Sequence, residues 1–456
     1  MIPIVTPTEM AAIDQAAPEP VGELIGRAGG AVARLAVEML GGTYGRRVVV
    51  LAGKGNNGND GRDAARRLAA RGVQVVVVDA ATAPATLPPG DLVIDAAYGT
   101  GFRGAYDAPR VAPGTAVLAV DIPSGVDGVT GRAEGRVLAA DVTVTFAALK
   151  PGLLFHPGAD FAGAVRPVDI GLDASSARAA LVEASDVRGW IPHRDATTHK
   201  WRSAVWVIAG TPGMDGAAVL VASGAQRAGA GYVRHSSPGV PGGASAAMPI
   251  EVVHTPLPAH GWAATVLEQI DRFAAVVVGN GLGTGPDVAD DVRRLLDGTT
   301  VTAVADADAI TALGRSAGEV TGPHVVLTPH DGEFARLAGQ PPGPDRIAAA
   351  RDLAAHLGAV VLLKGGPTVV ASPAGHVLVV ATGDARLATA GTGDVLAGVI
   401  GALAARGVAP FEAAAAGAFL HGAAGALGWR DGLVAGDVAG LLSAALDRIH
   451  EAPARR

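Results

Sequence analysis

The chain has 456 residues, enough for two or three domains that each bury a core, and its composition of 49% hydrophobic and 17% charged residues belongs to a folded protein, not a disordered one. Lys and Arg number 36 against 43 Asp and Glu, a net charge of −7 with no basic run, which argues against nucleic acid and membrane partners and leaves any phosphate to local recognition. The absence of cysteine excludes disulfides, thiolate nucleophiles and Cys-ligated zinc, and with no basic, apolar leader at the amino terminus a cytoplasmic location is expected.

Residues 9–40 carry apolar side chains at helical spacing up to the stop at Gly41-Gly42. Strand-like runs then alternate with helical segments: strands over 47–52, 73–78, 92–94, 116–120 and 142–147, with a helix over 62–70. Such alternation predicts a parallel sheet covered by helices, with ligands at the carboxyl ends of the strands. Polar residues stand there. The first strand is followed by Gly53-Lys54-Gly55-Asn56-Asn57-Gly58-Asn59-Asp60-Gly61, the third by Asp95 and Gly99-Thr100-Gly101-Phe102-Arg103-Gly104, and the fourth by Asp121-Ile122-Pro123-Ser124-Gly125-Val126-Asp127. Amide, carboxylate and hydroxyl oxygens beside glycine N–H groups suit an anionic ligand together with a hard cation. A strict GxGxxG is missing, so hydride transfer is not expected. Taken singly, Asp95 and Asp121 read equally well as helix caps, and Asn56-Asn57 as a turn.

Composition shifts around Trp190-Ile191-Pro192-His193, which sets a domain boundary near residue 190. A second alternation follows, with strands over 204–209, 275–278, 301–305, 325–328 and 360–364. The loops after them hold Gly279-Asn280-Gly281-Leu282-Gly283, Asp306-Ala307-Asp308, Pro329-His330-Asp331-Gly332-Glu333 and Lys364-Gly365-Gly366-Pro367-Thr368. A lysine at the mouth of a glycine turn suits a nucleotide diphosphate, although no GxxxxGK[ST] is present. His330 has two readings, a helix cap and a substrate contact, and its Pro-His-Asp-Gly-Glu setting favours contact. The stretch Leu387–Gly401 packs Thr389, Ala390, Gly391, Thr392 and Gly393 against Asp394 and runs on into an apolar helical segment: an anion cradle with a base beside it. Residues 395–429 divide at Arg406-Gly407 and Pro410 into halves shorter than the roughly 20 residues of a membrane span, which predicts a buried helical hairpin.

Four ordered motifs, AGKGNNGNDG, DAAYGTGF, DIPSGVDG and TFAALKPGLL, make roughly the first 170 residues resemble the epimerase domain of the NAD(P)H-hydrate repair proteins. Residues 195–450 resemble the dehydratase domain of the same proteins, within the ribokinase-like superfamily, through HKWRSAVWVIAG, MDGAAVLVASGAQRAGAGYV, VGNGLGTGP, VADADAI, LTPHDGEFARL, LKGGPTVV and AGTGDVLAGVI. The resemblance implies an α/β chain of two three-layer α/β/α domains, a Rossmann-like one over residues 1–190 and a ribokinase-like one over 191–456. In the first, Asn56, Asn57, Gly58, Asn59 and Asp60, with Gly99, Thr100, Gly101, Phe102, Arg103, Gly104, Ala105, Asp121 and Lys150, would bind the hydrated dinucleotide. Asp121 would be a catalytic residue near the reacting ring, and Asn57, Asp95 and Ser124 would hold K+. In the second, Lys364, Gly365, Gly366, Pro367, Thr368 and Gly393 would bind the nucleotide; Ala217, Gly283, His330 and Asp394 would bind the hydrate, with Asp394 as catalytic base. Implied cofactors are Mg2+ with ADP or ATP, and implied partners are NADHX, NADPHX and further copies of the chain in a homo-oligomer. Where the family has glycine this chain has Asn59, a substitution that a positive φ would tolerate best. The alternative is a ribokinase-like small-molecule kinase fused to a non-catalytic ligand-binding domain, which shares the GTGD turn but leaves the NNGND and DIPSG loops unexplained.

Overall fold

The computed structural model describes residues 1–240, 245–319 and 321–451. It divides into two compact α/β units, one of Ile2–Ala180 and one from Leu181 on. The division falls earlier than the expected boundary near 190, because the helix Ala184–Trp190 packs on the two last helices of the second unit.

The first unit contains α1 (Val21–Leu40), β1 (Arg47–Ala52), α2 (Asn56–Ala69), β2 (Gln74–Asp79), β3 (Leu92–Ala96), β4 (Ala116–Val120), β5 (Val142–Phe146) and β6 (Ala164–Val168). The strands form one parallel sheet in the order β2-β1-β3-β4-β5-β6. Alternate residues of each strand serve opposite faces. Val48, Val50, Ile94 and Leu118 pack under α1 and α2, whereas Val49, Leu51, Val93 and Val117 join the core on the other side. β6 escapes the hydrophobic pattern because it is an edge strand reading AVRPV, exposed along much of its length. The side on which successive strands are added reverses between β1 and β3, the switch point at which open parallel sheets hold ligands.

The second unit runs through β7 (Ala204–Ile208), α3 (Asp215–Arg227), β8 (Tyr232–Ser236), β9 (Val253–His254), β10 (Ala275–Val278), α4 (Pro286–Gly298), β11 (Thr302–Ala305), β12 (Val325–Leu327), α5 (Asp331–Ala338), β13 (Val360–Leu363), β14 (Thr368–Ala371), β15 (Val377–Val380), α6 (Thr392–Ala405), α7 (Pro410–Leu427) and α8 (Ala435–Glu451). Strand order is β9-β8-β7-β10-β11-β12-β13-β14-β15, parallel up to β13 and antiparallel beyond. β8 reads YVRHS and hides from a hydrophobic count, yet it is buried. The Arg234 guanidinium lies 4.7 Å from both the Trp206 and the Phe273 ring centres, so aromatic faces and the Gln269 side chain take up its charge. α6 and α7 form the expected hairpin and are buried along most of their length. Among the described residues, no helix is long and apolar enough to cross a membrane.

Candidate active sites

In the first unit a cavity of about 550 Å³ opens at the carboxyl ends of β1, β3 and β4. Its apolar wall comes from Val21, Leu24 and Ile25 of α1 with Phe146 and Ile170, and its polar floor from Lys54–Asn57, Asp60, Ala97–Phe102, Asp121 and Lys150. NNGND is the opening of α2, not a loop before it, since the helix begins at Asn56. Gly58 is required there: a Cβ would stand 2.0 Å from the Gly53 carbonyl oxygen. Asn59 donates its backbone N–H to the Gly55 carbonyl within that first helical turn. The left-handed conformation that would favour glycine there is not required, and Asn59 fits without strain.

Asp121 follows β4 with φ +69°, an uncommon conformation for a residue other than glycine. It aims the carboxylate at the cavity floor. Oδ1 accepts from Lys150 Nζ at 2.6 Å and from Thr145 Oγ1 at 3.3 Å, and Oδ2 accepts from the Thr100 backbone at 3.1 Å. Lys150 is only 1% exposed, and its ammonium also donates to Thr145 Oγ1 at 2.9 Å and the Phe146 carbonyl at 3.1 Å. The charge of Lys150 is therefore committed to Asp121, with no hydrogen left for a phosphate. The Thr145 hydroxyl, which opens the TFAALKPGLL motif but was given no role from the sequence, completes this cluster.

Beside it, buried Asp95 accepts from the Ser124 hydroxyl at 2.6 Å and the Ser124 backbone at 2.9 Å. Burial pushes the Asp95 carboxyl above the ordinary range, opposed by the hydrogen bonds from Ser124 and Ala97. Both polar atoms of the Asn57 amide are buried and without a partner. Asp60 is 7% exposed and its carboxyl is held up to about 8, first by burial, then by the charges of Asp121, Asp63 and Asp14. Asp14, at the cavity rim, also escaped the sequence reading, because its helix (Pro7–Ala16) carries no motif. Arg103 and Gly104 line a second hollow with Asp127 and Arg132, and Phe102 belongs to both.

In the second unit the residues after successive parallel strands form one hydrogen-bonded chain. The Asn280 amide donates to Asp394 at 2.7 Å and to Asp306 at 2.9 Å. Lys364 Nζ donates to Asp306 at 2.8 Å and lies 3.7 Å from Glu333. Glu333 in turn accepts from the His330 backbone at 2.9 Å. Asn280, Asp306 and Glu333 are buried partners that the sequence reading placed on the right loops without assigning them roles. Burial, aided by the charge of Asp306 and set against the Asn280 hydrogen bond and the charge of Lys364, lifts Asp394 to about 6. Attraction to Asp306 and Glu333 outweighs burial and raises the Lys364 ammonium above its usual range.

Asp394 is the third residue of α6, whose first N–H groups have no acceptor within the helix. The residue before the helix, Gly391, has φ +89°, and a Cβ there would meet Leu220 at 2.5 Å, so the turn needs glycine on both counts. A Cβ on Gly393 would lie 3.5 Å from Lys364 Nζ, which brings the glycine turn and the lysine together. Gly365, Gly366 and Pro367 link β13 to β14, and Thr368 opens β14 with its hydroxyl on the Gly365 carbonyl. Ala217 is in the first turn of α3, 3.3 Å from where a Cβ on Gly281 would be, and Gly283 donates its N–H to Asp308 at 2.9 Å. His330 caps α5: its Nδ1 accepts from the Gly332 and Glu333 backbones at 3.0 and 3.3 Å, while the side chain stays 57% exposed.

The family model described as NAD(P)H-hydrate dehydratase matches residues 205–448, and that described as YjeF-related protein N-terminus matches 21–85 and 78–152. The bifunctional NAD(P)H-hydrate repair enzyme Nnr of Moorella thermoacetica is 37% identical over 468 residues, covering 89% of this chain and 88% of that protein. Its counterpart in Mycobacterium tuberculosis is 41% identical over 403 residues, 82% of each chain. The ADP/ATP-dependent NAD(P)H-hydrate dehydratase of Bacillus subtilis, co-crystallised with ATP/Mg2+, superposes with a TM-score of 0.51 at 29% identity, covering 59% of this chain and 97% of that one.

Proposed function

The chain belongs to the family of bifunctional NAD(P)H-hydrate repair enzymes, an epimerase and an ADP/ATP-dependent dehydratase in one polypeptide, and from that premise we propose which residues carry each half. Repair restores NADH and NADPH from their hydrates. Relatives matched along both halves leave the fused-kinase alternative without support.

The dehydratase site is centred on Asp394. The observation that carries this is its position: a buried carboxylate at a helix N-terminus, held by Asn280 and within the field of Lys364. Asp394 takes the proton of the ring hydroxyl as that oxygen bonds to the terminal phosphorus of ADP or ATP and the bond to the departing nucleotide breaks. The N–H groups of the Gly391–Gly393 turn stabilise the developing charge. Phosphate then leaves the ring carbon with its electron pair, the adjacent carbon gives up a proton, and the dihydropyridine is restored. Phosphate leaves far more readily than hydroxide, which is what the nucleotide contributes. Lys364, Gly365, Gly366, Pro367, Thr368 and Gly393 hold the nucleotide; Ala217, Gly283 and the exposed edge of His330 hold the hydrate. Mg2+ would arrive with the nucleotide, offsetting phosphate charge that Lys364 and the glycine turn also meet.

In the first unit the cavity between α1 and the NNGND turn holds the hydrated ring, with Asp121 facing it. The unpartnered buried amide of Asn57, with Asp95 and Ser124 nearby, supplies oxygen donors that suit K+, which would fix the floor of the cavity. Purified protein given a mixed-epimer hydrate, ADP and Mg2+ is expected to regenerate NADH absorbance in full. No regeneration with either ADP or ATP would overturn the dehydratase assignment, and repair stopping at one epimer would overturn the epimerase assignment.

A further inference from the structure

The cavity of the first unit brings together three carboxyl groups, Asp14, Asp60 and Asp121, and two ammonium groups, Lys54 and Lys150. These charges are unevenly paired. Lys150 gives all three hydrogens to Asp121, Thr145 and Phe146. Lys54 is exposed at the mouth. One turn along α2, Asp63 takes the guanidinium groups of Arg66 and Arg67. Among the described residues no hydrogen bond or ion pair reaches the Asp60 carboxyl, although it is 7% exposed and lines the cavity. An acid so placed, with two carboxyl neighbours and no cation of its own, keeps its proton at neutral pH.

The substrate has a use for such a proton. Water adds to an enamine with its hydrogen at the β carbon and its oxygen at the carbon bonded to nitrogen, so the ring hydroxyl of the hydrate is a carbinolamine. Abstraction of the hydrogen on that carbon would leave an electron pair with no sink, whereas loss of the hydroxyl is pushed by the ring nitrogen. We propose that Asp60 is the acid that protonates the departing ring hydroxyl, so that epimerisation proceeds by loss and return of water through an iminium ring. The C–O bond breaks and its electrons take the Asp60 proton to make water, while the nitrogen lone pair closes the C=N bond. Asp60 is left as an anion beside the new cation. Water then adds to the opposite face, its oxygen forming the new C–O bond as the C=N pair returns to nitrogen, and its surplus proton goes back to a carboxylate of the cavity. Net charge and composition are unchanged. Leu24, Ile25, Phe146 and Ile170 give the cation an apolar wall, and the three carboxyl groups favour it.

This inference rests on the epimerase assignment of the first site, and its test separates the two. The full chain is given one purified epimer in water enriched in oxygen-18, and separately in deuterium oxide, and the other epimer is collected by chromatography. Each turnover should bring in one solvent oxygen and leave the hydrogen on the hydroxyl-bearing carbon unexchanged. Retention of the original oxygen, or exchange of that hydrogen, overturns the proposal while leaving the epimerase assignment intact. A wild-type chain that interconverts nothing removes both. Asp60→Asn should slow interconversion about 100-fold, as loss of a general acid does, with hydrate affinity changed less than about threefold, and Asp60→Glu should recover part of the rate. An Asp60→Asn chain that epimerises at the wild-type rate also overturns it.

Discussion

Asp60 and Asp394 stand in the opening residues of helices led by glycine, one in each unit, and their surroundings send them to different protonation states. Burial raises both. Asp394 receives an amide hydrogen from Asn280 and the field of Lys364, so it stops at about 6 and is mostly ionised at neutral pH. Asp60 receives neither and adds the repulsion of Asp121, Asp63 and Asp14, so it reaches about 8 and keeps its proton. The difference teaches that a helix N-terminus does not by itself decide whether a carboxyl is an acid or a base. Its partners do, and here they divide the two roles between two sites.

The largest effect should come from removing the base. Asp394→Asn is expected to lower dehydration about 1,000-fold, within the range for a general base, with nucleotide affinity by calorimetry changed only severalfold. Equal loss of both would assign Asp394 to holding the turn together. Next comes the buried pair of the first unit. Lys150→Met leaves Asp121 without its cation, and breaking a buried pair costs about 3 kcal/mol, read as a lower unfolding midpoint, together with an epimerisation rate down about 100-fold. A variant as stable and active as the wild type would show that Asp121 needs no partner, contrary to the contrast drawn with Asp60.

A smaller effect tests the comparison most directly. Dehydration should rise with pH through about 6 as Asp394 ionises, and epimerisation should fall as pH passes about 8 and Asp60 gives up its proton. Asn280→Ala removes the hydrogen bond that favours the charged form of Asp394, so its carboxyl moves further up. At pH 6 the variant should lose about tenfold in dehydration rate and should recover most of it by pH 8. A loss that is the same at every pH would mean that Asn280 only shapes the site.

Much of this was legible in the chain. Alternating strands and helices placed Asp121, Lys364 and Asp394 at carboxyl ends of strands or at helix starts, where the structure has them. What stayed hidden was pairing across sequence. Apart from the contact of Glu333 with the His330 backbone three residues away, Asn280, Asp306 and Glu333 are 26 to 114 residues from the groups they touch, and nothing local distinguishes a buried hydrogen-bonding asparagine from a turn residue. Strands β14 and β15 were missed: the first opens at Thr368, which the sequence reading counted with the glycine loop, and the second follows it after a short turn. The commitment of Lys150 to Asp121 was equally out of reach, since a lysine after a strand reads the same whether it faces solvent or a carboxylate.

His330 provides the smallest and sharpest test, because the two readings of its sequence setting are both compatible with its geometry. Its Nδ1 accepts two backbone hydrogens at the start of α5, which makes it a cap, while Nε2, 3.5 Å from Glu333, is the nitrogen with a hydrogen to donate to that carboxylate or to a ligand. His330→Ala should lose the cap, worth about 1 kcal/mol, and the donor together. His330→Asn should keep the cap, since asparagine is among the best residues there, and lose only the reach of the ring. If the histidine touches the hydrate, KM for the hydrate rises about fivefold in both variants, roughly the loss of one net hydrogen bond, while the unfolding midpoint falls only in the alanine chain. An unchanged KM in the asparagine variant would reduce His330 to a cap and leave Ala217, Gly283 and Asp394 to hold the hydrate.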